Sequence, residues 1–202
     1  MAERKIRVAV LVSGGGTNLQ AILDAQDCGA IRSGEVVLVV SDRAGAYALE
    51  RAEHHGIRKR QVLRREHPDD FDRALLDVMI EEQIELIVLA GFLSILSPAF
   101  TERYDRRILN VHPSLIPSFC GAGYYGLRVH EAALQKGVKV TGATVHYVNE
   151  IPDGGEIIAQ KAVSVHEGDT PETLQRRVME EAEWVLLPEA VEKVCATLLS
   201  HG

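Results

Sequence analysis

The sequence has few cysteines and no pattern that would pair them. Its 202 residues contain three, Cys28, Cys120 and Cys195, and none of them forms a C-x-x-C motif. Disulfide frameworks usually show an even number of cysteines at close spacings, whereas scattered thiols are typical of reducing compartments. We therefore predict a cytoplasmic protein with reduced thiols.

A long hydrophobic run is also missing. The first apolar segment, residues 6–12, gives way directly to Ser13-Gly14-Gly15-Gly16. A transmembrane helix needs about 20 apolar residues, and a signal peptide needs an uninterrupted apolar core. The sequence therefore predicts no membrane partner and no secretion signal.

Positive charge and metal-binding motifs are both scarce. Lysine and arginine total 22 against 29 acidic residues, a formal net charge of -7. This acidity argues against nucleic acid as a partner, although a local loop can still bind a phosphorylated small molecule. The eight histidines form no H-E-x-x-H motif, and His130-Glu131 is not followed by a second histidine, so we predict no metal.

Apolar patterning predicts an α/β fold. At 46% hydrophobic and 25% charged residues, the composition is that of a globular domain. Strands are predicted at residues 7–13, 35–41, 58–63, 86–90 and 108–112, with helical segments between them. That alternation favours a parallel sheet, whereas residues 139–149 and 156–165 alternate like strands of a hairpin. We predict a Rossmann-like, mostly parallel sheet flanked by helices and extended by an antiparallel C-terminal part, with one last helix from Thr170.

A glycine-rich loop joins the first strand to the first helix. It reads Ser13-Gly14-Gly15-Gly16-Thr17-Asn18. Bare backbone N–H groups at a helix N-terminus bind anions, so the loop predicts a phosphate site; the alternative is a turn that only packs strand against helix. No Gly-Lys-Ser/Thr follows, which disfavours a P-loop, and Leu19 replaces the third glycine of a dinucleotide fingerprint.

Two polar residues interrupt an apolar run just before a proline. Asn110 and His112 are two residues apart, so on a strand both side chains share one face, and Pro113 ends the strand. Ligands of open α/β sheets bind at this carboxyl end. An amide beside an imidazole suits a developing oxyanion, although either residue can also be purely structural.

The fourth predicted strand ends in an apolar loop. Leu93, Ser94, Ile95 and Leu96 leave its carboxyl end beside the strand that carries Asn110. The loop suits a flat slot for an aromatic or heterocyclic ligand; core packing is the alternative reading.

A carboxylate in a later turn is a further candidate. Asp153 lies in a Pro-Asp-Gly-Gly turn, where aspartate often serves only the backbone geometry. If the C-terminal hairpin folds against the sheet, Asp153 faces His112 and favours a protonated imidazole. His146, in the middle of a strand, is a candidate to brace the Asp153 loop. Cys120 lies near the same region, but no basic neighbour in sequence marks it as a nucleophile.

Four stretches together resemble a known family. They are residues 12–20, residues 90–96, residues 110–117, and residues 144–148 with the Asp153-Gly154-Gly155 turn. In these runs, across essentially the whole chain, the sequence resembles the phosphoribosylglycinamide formyltransferases, folate-dependent enzymes of purine synthesis. The resemblance implies a single formyltransferase domain, with a phosphate-binding half at residues 1–110 and a folate-binding, catalytic half at residues 111–202.

The resemblance also implies roles for individual residues. Gly14, Gly15, Gly16, Thr17 and Asn18 would bind the phosphate of glycinamide ribonucleotide, and Glu183 its ribose after a one-residue shift in alignment. Leu93, Ser94, Ile95 and Leu96, with Asn110, would bind 10-formyltetrahydrofolate, the co-substrate. Asn110, His112 and Asp153 would be catalytic, supported by His146. The implied assembly is a monomer or weak homodimer.

The chain departs from the family pattern in two places. Ser94 stands where many relatives carry arginine, and residues 120–126 form a longer loop. Two alternative functions remain open on the residues alone: a formyltetrahydrofolate hydrolase, and a non-catalytic nucleotide-binding module that uses residues 14–18 only. A formyltransferase acting on tRNA would carry an added RNA-binding domain, which the acidic composition disfavours.

Overall fold

Seven strands form one continuous sheet in the computed structural model of the protein, which describes residues 4–201. The strands are β1 (Ile6–Val12), β2 (Gly34–Ser41), β3 (Arg58–Gln61), β4 (Leu86–Leu89), β5 (Ile108–His112), β6 (Val140–Tyr147) and β7 (Ile157–Ser164). Their spatial order is β3-β2-β1-β4-β5-β6-β7. The first five strands pair in parallel, and β6 and β7 extend the sheet antiparallel. The predicted fold class is confirmed.

Helices connect the parallel strands and cover both faces of the sheet. They are α1 (Thr17–Asp27), α2 (Ala48–His54), α3 (Phe71–Glu81), α4 (Pro98–Arg103), α5 (Leu127–Lys136), α6 (Pro171–Val178) and α7 (Trp184–Ser200). Among the described residues, no helix combines the length and apolar character that crossing a membrane requires.

The central strand β1 shows why the sheet is buried on both sides. Val8, Val10 and Val12 pack into one core, whereas Ala9 and Leu11 pack into a second core across the sheet. Successive side chains of a strand point to opposite faces, so a continuous apolar run supplies both cores. The carboxyl end of β1 is thereby fixed in the middle of the sheet, and the glycine loop follows it there.

The last helix differs from the prediction, which had it run unbroken from Thr170. Thr170 caps α6 as expected, since its hydroxyl oxygen accepts from the Thr173 N–H at 3.3 Å. A π-helical segment, Met179–Glu183, then separates α6 from α7. A π turn holds one residue more than an α turn, and such segments occur often at functional sites.

Candidate active site

The carboxyl ends of the central strands open into a cleft of about 690 Å³, a size typical of small-molecule sites. It brings together most of the residues that the sequence singled out. Those lining it are Thr17, Asn18, Leu93, Ser94, Ile95, Leu96, Asn110, His112, His146, Asp153 and Glu183. Gly14, Gly15 and Gly16 lie directly before Thr17 but do not themselves line the cleft.

The pairing of β5 with β6 places Asn110 beside a histidine. In the antiparallel register Asn110 lies opposite His146, and the Asn110 amide nitrogen lies 3.1 Å from His146 Nε2. His146 Nδ1 donates to the Tyr147 carbonyl at 2.7 Å, so Nε2 of the neutral ring accepts from the Asn110 amide. An amide nitrogen carries two hydrogens, which leaves one for a ligand in the cleft.

His112 is almost fully buried and has acceptors at both ring nitrogens. Its Nε2 donates to the Phe119 carbonyl at 2.9 Å, and its Nδ1 lies 3.5 Å from Asp153 Oδ2. Because Nε2 is hydrogen-bonded to the Phe119 carbonyl, Nδ1 is the ring nitrogen that can interact with a ligand in the cleft. A doubly protonated ring would donate to both groups and form an ion pair with Asp153.

Asp153 is held by three groups at once. The Gly121 N–H donates to Oδ2 at 2.8 Å, and His146 Nε2 lies 3.6 Å from Oδ1, in addition to the His112 contact. Burial alone would raise the pKa of this carboxyl, but the nearby His146 ring, the Gly121 N–H and the His112 ring outweigh burial and lower the pKa. Asp153 therefore stays ionised at neutral pH.

The turn that carries Asp153 depends on glycine. Asp153 itself has a positive φ of 55°, in the left-handed region. A Cβ on Gly155 would lie 1.7 Å from the Tyr147 carbonyl oxygen, and one on Gly154 would lie 2.6 Å from Ile151 Cγ2. Only a residue without a side chain allows the backbone to pass so close to β6.

We expect Gly155→Ala to destabilise the protein by about 1–3 kcal/mol, because the new methyl group must displace backbone rather than a flexible side chain. Catalytic activity at the cleft should also fall, since the displaced turn holds Asp153. Thermal unfolding and a rate assay measure the two effects. Gly14→Ala is the stability control, since its Cβ would meet no atom within 4 Å. An unchanged melting temperature for Gly155→Ala would contradict this account.

Glu183 reaches the cleft through the π-helical segment. Its carboxylate is buried and accepts from the Asn18 amide nitrogen at 2.7 Å. Burial raises the pKa of Glu183, and the Asn18 hydrogen bond opposes this only in part. The contact joins the glycine-loop end of α1 to the C-terminal helices, so one wall of the cleft combines two distant parts of the chain.

The apolar loop after β4 forms another part of the cleft wall. The Leu93 N–H donates to Ser13 Oγ at 2.9 Å, and Ser94 Oγ donates to Asp42 Oδ2 at 2.6 Å. These bonds tie the loop to the ends of β1 and β2. Leu93 and Ile95 remain 49% and 74% exposed, which leaves their apolar surfaces free to contact a ligand.

Sequence reasoning missed several residues of the cleft. Arg43, Tyr124, Tyr125, Gln175 and Met179 also line it. Gln175, Met179 and Glu183 are spaced by four, a helical periodicity that could have placed Gln175 and Met179 beside Glu183. No sequence pattern marks Arg43, because only the fold brings the end of β2 next to the loop after β4.

Metal binding and a cysteine nucleophile are two other kinds of chemistry to compare with the described residues. Within residues 4–201, no three histidine, cysteine, aspartate or glutamate side chains gather as a metal site would require. Burial, and then the Asp153 charge, raise the pKa of the Cys120 thiol, which disfavours the reactive thiolate.

His130 is a buried, unpaired imidazole close to the site. It is fully buried on α5, and within residues 4–201 neither ring nitrogen has a hydrogen-bond partner. Burial, with a smaller contribution from His112, lowers the pKa of His130 to about 4. The ring is therefore neutral in the folded protein at neutral pH.

This lowered pKa predicts a loss of stability in acid. Between about pH 6.5 and pH 4 the unfolded chain binds a proton at this residue and the folded chain does not, so the unfolding free energy falls as pH falls. The loss should reach about 3 kcal/mol and be absent in His130→Leu. Urea unfolding of both proteins at pH 7, 5.5 and 4.5 measures it. Parallel pH dependences in the two proteins would rule this effect out.

Comparison with known proteins agrees with this geometry. A family model described as formyl transferase matches residues 6–191. The chain belongs to the formyl transferase family. Within this family, a phosphoribosylglycinamide formyltransferase of Haemophilus influenzae is 39% identical over 188 residues, which cover 92% of this chain and 85% of that protein.

Two further relatives extend the comparison. The trifunctional purine biosynthetic protein adenosine-3 of Gallus gallus is 44% identical over 98% of this chain, and the chain spans 19% of that protein's length. The crystal structure of glycinamide ribonucleotide transformylase 1 from Symbiobacterium toebii superposes with a TM-score of 0.89 at 43% identity, covering 96% of this chain and 89% of that one. Sequence and fold thus both relate the chain to proteins that are named for the transfer of a formyl group to glycinamide ribonucleotide.

Proposed function

We propose that the protein transfers the formyl group of 10-formyltetrahydrofolate to the amine of 5'-phosphoribosylglycinamide, a step of purine biosynthesis. The observation that carries this proposal is the convergence of Asn110, His112 and Asp153 on one cleft. The lining of that cleft includes the apolar loop of Leu93 to Leu96, and also Thr17 and Asn18, which directly follow the three glycines. The names of the relatives support the same reaction.

The two substrates enter from opposite sides of this centre. The phosphate of the amine substrate binds the N–H groups of the loop from Gly14 to Asn18, and its ribose binds Glu183. The pterin of the folate lies against the loop formed by Leu93, Ser94, Ile95 and Leu96, with Asn110 at its inner end. Orienting both substrates in one cleft supplies much of the rate acceleration.

The reaction is a direct transfer between two nitrogens. The substrate amine attacks the formyl carbon, a C–N bond forms, and the carbonyl oxygen becomes an oxyanion in a tetrahedral intermediate. The free N–H of Asn110 and the Nδ1–H of His112 stabilise that oxyanion. The oxyanion then re-forms the carbonyl as the bond from the carbon to folate N10 breaks, and the amine proton passes to N10 with the help of Asp153, directly or through a water molecule.

The proposal also covers the organisation of the chain and the place where it acts. The activity resides in a single domain, in which residues 1–110 bind the phosphate and residues 111–202 complete the folate-binding and catalytic half. The protein acts in the cytoplasm as a monomer or weak homodimer on small molecules, without nucleic acid, membrane or metal.

One assay tests the proposal against its alternatives. The protein is incubated with 10-formyltetrahydrofolate alone, with glycinamide ribonucleotide, or with an aminoacylated tRNA, and tetrahydrofolate release is followed. We expect release only with glycinamide ribonucleotide. Equal release without any amine acceptor would indicate a hydrolase, and no release under any condition would indicate a non-catalytic binding module.

A further inference from the structure

Helix α2 holds the back of the glycine loop. The Gly14 carbonyl accepts from the Ala48 N–H at 3.1 Å, and the Gly15 carbonyl accepts from Arg51 Nε at 2.8 Å. Gly16, at φ 73°, packs so closely that a Cβ there would lie 2.6 Å from the Ala48 Cβ. The Gly14 and Gly15 carbonyls thus both point toward α2.

This arrangement fixes where the loop N–H groups point. Across a trans peptide bond the N–H points opposite to the carbonyl of the same peptide unit. The Gly15 and Gly16 N–H groups therefore point away from α2, and within residues 4–201 neither donates a hydrogen bond to the protein. Oriented, unpaired N–H groups before a helix N-terminus are the donors that a phosphate requires.

The Arg51 side chain is itself held at three points. Besides the Gly15 carbonyl, its guanidinium donates to Gln20 Oε1 on α1 at 2.9 Å and lies over the Tyr47 ring at 5.0 Å. The planar guanidinium reaches both acceptors through separate nitrogens, which a lysine ammonium cannot reproduce in this geometry. Arg51 is not among the residues that line the cleft, so its effect on a ligand passes through the loop.

We propose that Arg51 is a positioning residue for phosphate recognition, which acts by holding the Gly15 carbonyl turned away and so aiming the Gly16 N–H at the phosphate. This inference rests on the proposed function for the identity of the phosphorylated substrate. Specificity for a phosphate ester then depends in part on Arg51, a residue that does not contact the phosphate.

The test compares kinetic constants of three variants. Arg51→Met should raise KM for glycinamide ribonucleotide about tenfold, equivalent to about 1.4 kcal/mol of binding, with KM for 10-formyltetrahydrofolate and kcat nearly unchanged. Arg51→Lys should show most of the same increase, because it keeps the charge but not the two-armed contact. Arg73→Met, which removes an exposed arginine on α3, is the matched control and should resemble the wild type.

A second substrate separates positioning from general damage. The glycinamide ribonucleoside, which lacks the phosphate, should react equally well with wild-type protein and Arg51→Met. An equal loss of activity on both substrates would show a merely structural role. A wild-type KM for glycinamide ribonucleotide in Arg51→Lys would show that the positive charge alone matters. Either result would overturn the proposal.

Phosphate binding gives a readout that is independent of the proposed reaction. Inorganic phosphate should raise the melting temperature of the wild type, and clearly less that of Arg51→Met. If the wild type binds phosphate but transfers no formyl group, the proposed function fails and the role of Arg51 stands. Equal stabilisation of both proteins by phosphate would refute the role of Arg51 whatever the reaction.

Discussion

Replacing His112 by alanine is expected to leave the fold intact and to lower formyl transfer by about a hundredfold or more. The imidazole provides one of the two donors to the oxyanion, and loss of one such donor costs about 10²–10³ in turnover. His112 is buried, but its polar partners are the Phe119 carbonyl and Asp153 and it lines the cleft, so an alanine leaves a space at the cleft wall. Steady-state kinetics with both substrates measure the effect.

The controls for His112→Ala distinguish chemistry from folding. Circular dichroism and thermal unfolding should show a folded variant, and KM for both substrates should change little, because the lost interaction acts chiefly in the transition state. His166→Ala, at an exposed histidine, should retain full activity. Wild-type turnover in folded His112→Ala would show that His112 takes no part in the reaction.

Asp153→Asn is expected to lower turnover by about 10²–10⁴, the range for loss of an acid–base group. The asparagine oxygen can still accept from the Gly121 N–H, so the turn keeps its place. The negative charge that faces His112 at 3.5 Å and His146 at 3.6 Å is lost. The variant therefore removes the charge and leaves the geometry.

The pH dependence of stability follows from the lowered pKa of Asp153. A carboxyl whose pKa is lower in the folded state stabilises the fold above its unfolded pKa, and this contribution is lost as pH falls through the folded value. Wild-type protein should lose this stabilisation in acid, and Asp153→Asn should lack it at every pH. Thermal unfolding from pH 7 to pH 3 tests this, and identical curves for the two proteins would contradict it.

The double variant shows whether the two residues act together. His112→Ala combined with Asp153→Asn should be about as slow as the slower single variant, because groups that act as one unit are not additive. Effects that multiply fully would mean that Asp153 works independently of His112.

Local sequence was enough for the parts of the site that lie along one strand or one turn. Asn110 and His112 share a face because strand side chains alternate, and Pro113 marks the strand end. The glycine loop follows β1 directly, so its place at the carboxyl edge needed only the strand assignment. Both features depend on neighbours in the chain, which is why the sequence predicts them.

The side chains that contact these residues could be identified only from the tertiary structure. His146 meets Asn110 only through the antiparallel register of β5 and β6, and Asp153 reaches His112 only because Gly155 lets its turn pass close to Tyr147. Arg51 likewise contacts the loop only through the packing of α2. Register and close backbone approach are set by packing between distant segments, and no local pattern encodes them.

By itself the sequence determined a mostly parallel α/β sheet, a glycine loop after its first strand, and an amide and imidazole at the end of its fifth. The tertiary structure alone decided that the last helix winds through a π segment, which carries Glu183 to Asn18. The physical reason is that periodicity fixes which face of a segment is apolar, whereas the placement of one extra residue in a helix depends on what packs against it.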